Sequence, residues 1–255
     1  MSAGSLNKDS IDKIEDIVEQ KKLTVEVDGI TYATRNLTPI IHDPHPDNMS
    51  ITTLTGLVDY LKTNVDKLNM EDLIVRVNSH SSVQIISKFA GMNCSRAHFL
   101  SAGLDRGYCD FSFDQYQNHE DFIVNCLSKF EQTDDMKSIL QYVGNLQAGS
   151  VTDSIDDGVT QNATVKTING SRMAKVDMKS RVTLTPFRTF REIEQPESEF
   201  IFRLQNRENS DGAMIPTCAL FESDGSKWKL DAIESIRDYL RNEFEMSEIN
   251  VAIIA

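Results

Sequence analysis

Apolar residues return along this chain with two different periods, and each period marks a different backbone. From Ser10 to about Lys22, Ile11, Ile14, Ile17 and Val18 fall every three or four positions, which predicts an amphipathic helix with Ser10 as its N-cap. Leu23, Val25 and Val27 then alternate up to Asp28-Gly29, and Ile30 and Tyr32 resume beyond it, the pattern of a β-hairpin. The stretch IIHDPHPDN reads as an irregular loop because Pro44 and Pro46 break any regular backbone. Leu54, Leu57, Val58, Leu61, Val65 and Leu68 restore the helical period, with Ser50 or Thr52 as cap and an end near Lys67. LIVRVNS and SVQIISKF predict a strand pair from Leu73 to Phe89.

Two more helices are expected. One follows Asn118, with Phe122, Ile123, Cys126, Leu127 and Phe130 on one face. The other follows Thr133, with Met136, Ile139, Leu140, Val143 and Leu146. Asn118 and Thr133 are capping residues, and the carboxylates just after them suit the positive end of a helix. After Gly149 the texture changes. Asp157-Gly158 and Asn169-Gly170 predict tight turns in a meander from Ser150 to Val176. VTLTPFRTF and SEFIFRL continue it as strands, with Pro186 at an edge or bulge. CALFESDGSKWKL suggests a further hairpin about Asp224-Gly225, followed by a helix from Asp231 and a last strand, INVAIIA. The expected fold class is therefore α+β: mixed, mainly antiparallel sheets with about five helices. Residues 1–149 form an α+β region and residues 150–255 a mainly β region, the two sharing a single core if they pack.

Composition narrows the function classes. The net charge of -13 repels a phosphate backbone unless basic residues gather on one face. No run reaches the roughly 18 apolar residues that a membrane span needs, and the first residues lack the pattern of a signal peptide, so a cytoplasmic protein is expected. Cys94, Cys109, Cys126 and Cys218 are too scattered for a zinc or thioredoxin motif.

Candidate chemistry is sparse. His42, Asp43, His45 and Asp47 are the densest set of potential metal ligands, although two histidines between prolines equally make a rigid solvated loop. Asp156-Asp157 precedes a turn glycine, and Glu192 and Glu194 alternate toward water, so neither pair has the contrasting environments of an acid and a base. GxSxG, GxGxxG and P-loop patterns are absent from the sequence; no catalytic residue and no cofactor are called for. Arg181, Phe187, Arg188, Phe190, Arg191, Phe200, Phe202 and Arg203 interleave arginine with phenylalanine, as a surface for single-stranded nucleic acid would. A half-buried strand with aromatics inward and arginines outward gives the same pattern and is the favoured reading.

The blocks ITTLTGLVDYLK, FSFDQYQNHEDFIVNCL, VTDSIDDGVTQNATVKT, VTLTPFRTFREIEQPESEFIFRL and CALFESDGSKWKLDAI resemble early-region proteins of phages and prophages of Gram-positive hosts. Their order is distantly similar to the YfdQ-like family of phage proteins, over about residues 24 to 255. The resemblance implies a setting, not an activity. The expectation is a non-enzymatic accessory protein acting by homo-oligomerisation or by binding a host or phage protein, helped by the uncharged run VAIIA. The alternatives are a DNA replication or recombination factor that binds single strands, and a counter-defence protein that sequesters a host factor.

Overall fold

The computed structural model describes residues 8–20, 24–27, 30–33, 47–89, 94–105, 107, 110–144, 151–156, 160–166, 173–208, 210, 212 and 214–255. The chain divides into two units, Met1–His45 and Pro46–Ala255. The first holds helix α1 (Lys8–Gln20) and the antiparallel strands β1 (Thr24–Val27) and β2 (Ile30–Ala33), with Val27 opposite Ile30. That register leaves two residues between the strands, the hairpin expected from Asp28-Gly29. Ser10 lies within α1 rather than at its cap, because the helix starts at Lys8.

The larger unit opens with β3 (Met49–Ile51), α2 (Leu54–Thr63), β4 (Leu73–Ser79), β5 (Ser82–Ser87) and β6 (His98–Gly103). There follow β7 (Gln117–Asn118), α3 (His119–Lys129) and α4 (Asp134–Gly144). The meander β8 (Val151–Asp156), β9 (Thr160–Lys166) and β10 (Met173–Lys179) comes next, then β11 (Arg181–Leu184), β12 (Ser198–Glu208) and β13 (Met214–Glu222). Helix α5 (Lys227–Met246) and β14 (Ala252–Ile254) complete it. The fold is α+β, and the described elements from 150 onward are strands apart from α5.

Two sheets carry the two cores. In the five-stranded sheet, ordered β14-β4-β5-β6-β3, both outer strands run parallel to their neighbours and the inner pairs are antiparallel. Its inner face, with Val75, Val77, Val83 and Ile85, packs under Leu54, Leu57 and Leu61 of α2 and Ile236, Leu240 and Phe244 of α5. In the four-stranded sheet, ordered β11-β12-β13-β7, Phe200, Phe202 and Leu204 face Phe122 and Cys126 of α3 and Met136, Ile139 and Val143 of α4. Residues from both sides of position 150 thus build both cores. Burying each phenylalanine contributes about 1.5–3 kcal/mol.

Several local expectations are corrected. Thr53, not Ser50 or Thr52, caps α2: its Oγ1 accepts from Gly56 N at 3.2 Å, while Ser50 belongs to β3. The helix ends at Thr63 because Asn64 turns left-handed, with φ 44°, and its side chain bonds Leu68 at both N and O. Asp224-Gly225 is not a hairpin turn. Ser226 holds the N-cap position of α5, the Asp224 carboxylate accepts from Ser226 N at 2.9 Å and from Trp228 N in the first turn at 3.4 Å, and the helix begins at Lys227 instead of Asp231. On α3, Leu127 faces solvent at 57% exposure, so the apolar stripe is narrower than its spacing suggests. β11 stops at Leu184, and Pro186 makes an isolated bridge to Phe130. Asn118 does cap α3, with Oδ1 accepting from Asp121 N at 2.8 Å, and Thr133 Oγ1 accepts from Met136 N at 3.3 Å.

Candidate functional site

The link between β11 and β12, residues 185–197, is where the interleaved arginines and aromatics meet. It crosses from the four-stranded sheet to the five-stranded one and is pinned at each step. Phe187 N donates to Lys129 O at 3.0 Å. Gln195 Oε1 accepts from Arg188 N at 2.9 Å and Thr189 N at 3.1 Å, while its Nε2 donates to Phe190 O at 2.9 Å. One side chain therefore closes the loop on itself. Thr189 Oγ1 reaches His80 O in the β4–β5 turn at 2.6 Å, and Glu192 accepts from Thr55 N at 3.1 Å at the start of α2. Phe190 and Ile193 insert into the second core.

Arg188 sits in the middle, with its side chain 3% exposed. Its guanidinium donates to Glu222 of β13 and to Ser198 Oγ, and it stacks over Trp228 of α5 at 3.8 Å. The rings of Phe113 and Phe200 each lie 5.5 Å away. A buried guanidinium is tolerable only when paired and hydrogen-bonded in this way. His80 meets Trp228 edge-on at 4.6 Å. Burial, then Lys229 and Arg188, hold its pKa below the usual histidine range.

The placements decide among the candidate residues. Phe190, Phe200 and Phe202 are at most 1% exposed, so they cannot stack on bases. Phe187 is half-buried. Arg181 and Arg191 are exposed, and Arg181 pairs loosely with Glu199 at 3.9 Å. Arg203 is half-buried and donates to Ser180 Oγ at 3.0 Å. The favoured alternation of aromatics inward and arginines outward holds along β12; Arg188 departs from it, off the strands. The groove beside Ser198, about 730 Å³, carries Glu194, Glu197, Glu199, Asp224 and Asp231 against Lys227 alone, which repels a phosphate backbone. His42, Asp43 and His45 lie outside the described residues, and Asp47 is exposed. Among the described residues, no three His, Cys, Asp or Glu side chains stand together as a metal site. Cys126 and Cys218 are buried, and burial raises both thiols, Cys218 to about 12, which keeps them unreactive. No described helix is long and apolar enough to cross a membrane.

Sequence reasoning missed that Glu222, Ser198, Gln195, Trp228 and His80 gather about Arg188. Glu222 lies 34 positions from Arg188, and no short motif carries such a contact.

The other feature open to an interaction is β14. It has β4 on one side and, among the described residues, no strand on the other. Its outward N–H and C=O groups have no strand to pair with, and Ile254 is 53% exposed. Two other open edges, those of β11 and β13, are capped or interrupted in ways that edges usually are. Asp135 caps Thr183 N of β11 at 2.9 Å. β13 includes Pro216 and exchanges bonds with Asp114. Between Ile249 and Ala255 there is no charged side chain and no proline. β3, the other outer strand of the five-stranded sheet, likewise has no charged side chain and no proline between Met49 and Ile51.

No family model, curated protein or solved structure matches the chain.

Proposed function

We propose that this protein is a binding component that works by association, with itself or with a partner chain, through strand addition at β14. The observation that carries the reading is the β14 edge: a strand with no charged side chain and no proline, without a strand on its outer side among the described residues, in a chain of net charge -13. The block resemblance suggests a phage or prophage setting for it, as an accessory factor without chemistry of its own. The burial of Phe200 and Phe202 and the acidic groove count against single-stranded nucleic acid as the ligand.

Light scattering on tag-free protein over a concentration series tests the reading. The solution mass is expected to exceed the 28.7 kDa of one chain and to fall to it in the double variant Ala252→Glu/Ile254→Glu, whose changes lie on exposed positions. The same mass in both proteins at every concentration would contradict it.

A further inference from the structure

We propose that the contact of His80 with Trp228 is an acid-released latch between the two sheets: protonating His80 sets a third cation at the Trp228 ring and frees the β4–β5 turn while both cores stay folded. Trp228 is where the sheets meet. From the four-stranded sheet comes Arg188, which bonds Ser198 of β12 and Glu222 of β13 and lies over the Trp228 ring at 3.8 Å. From the five-stranded sheet comes His80, in the β4–β5 turn, which meets the same ring edge-on at 4.6 Å. The turn is tied back by Thr189, whose Oγ1 donates to His80 O at 2.6 Å. Lys229, the next residue of α5, brings its ammonium to 5.6 Å from that ring.

The charges set the direction. Lys229 and Arg188 act on His80, and both are cations. Glu222, the carboxylate of the cluster, already bonds Arg188, and Asp224 accepts from Ser226 N and Trp228 N at the start of α5. Ser79, Ser81 and Ser82 add no charge to the turn, and Asp105, beside the Leu104 whose N donates to Ser81 O at 3.3 Å, is exposed. Neutral His80 packs against this arrangement, whereas an imidazolium there is repelled by Arg188 and Lys229. The proton is therefore held more tightly once the turn has left Trp228, and acid drives the release. Burial keeps the release local. Ser79, His80, Ser81 and Ser82 are half-buried, while Val77 and Val83 on either side of the turn are at most 6% exposed and stay in the core.

Trp228 is the single tryptophan of the chain, so intrinsic fluorescence reads the latch directly. When the full chain is titrated from about pH 7.5 to about pH 5, Trp228 emission is expected to move to longer wavelength below about pH 6.5 while far-ultraviolet circular dichroism stays constant. His80→Gln cannot take up the proton and should abolish the movement. Lys229→Gln removes one repelling cation at an exposed position and should shift the midpoint to lower pH. If His80→Gln already emits at the longer wavelength at neutral pH, the Lys229→Gln midpoint decides: a lower one supports the latch and an unchanged one overturns it. Emission that does not move with pH, a movement that persists in His80→Gln, or a movement that coincides with loss of the circular dichroism signal overturns it as well.

Discussion

Arg188 and β14 handle the same problem, polar groups that need partners, in opposite ways. The Arg188 guanidinium is buried and bonds Glu222 and Ser198, and Gln195, Thr189 and His80 tie the surrounding loop to both sheets. The guanidinium and the loop groups named here bond inside the chain, while the buried Trp228 Nε1 has no hydrogen-bond partner among the described residues. β14 leaves its outer backbone edge without a strand, among apolar side chains, on the rim of a sheet. A self-satisfied cluster stabilises a fold, while an unpaired edge invites another chain. The comparison assigns stability to the first region and association to the second, and each assignment can be broken.

The largest effect is expected at the cluster. Arg188→Ala leaves Glu222 and Ser198 without their donor and opens a space over Trp228, so unfolding free energy should drop by about 3–5 kcal/mol, read by denaturant titration. A loss below ~1 kcal/mol would mean that the cluster is incidental. Next comes a pH dependence. His80 has a folded pKa below its unfolded one, so the unfolded chain takes up protons first, and stability falls as pH drops below about 6.5. His80→Gln should flatten the thermal midpoint between about pH 6.5 and 5 relative to wild type. An unchanged slope would place the acid sensitivity elsewhere.

The edge should behave in reverse. Ala252→Glu/Ile254→Glu is expected to move unfolding free energy by no more than about 0.5 kcal/mol while abolishing association. A large stability loss would show that β14 belongs to the fold more than to an interface. The smallest effect is that of salt. Screening lowers the repulsion between two acidic chains, so adding NaCl should strengthen association a few-fold, whereas the Arg188 cluster, being buried, should lose little stability. Association that weakens with salt would point to ion pairs instead of strand pairing.

The two regions also differ in how legible they were from sequence. Alternation placed Phe200, Phe202 and Leu204 on one face of β12, because period two is a local property. Asn118 announced α3 by the same local chemistry. Asp224-Gly225 misled because aspartate before glycine serves a helix start as well as a hairpin, and only the packing of Trp228, Ala232 and Ile236 decides between them. The role of Arg188 was hidden, since a strand pattern says that an arginine points outward and its partners come from distant elements. The apolar texture of β14 was visible, but its place at the edge, parallel to β4, depends on where the chain returns after α5.

Amide hydrogen exchange of the segment 251–255 at rising protein concentration tests the central claim most directly. Strand addition at β14 predicts that protection there grows with concentration while the amides of β12 stay unchanged. Exchange in 251–255 that is the same at every concentration would contradict it.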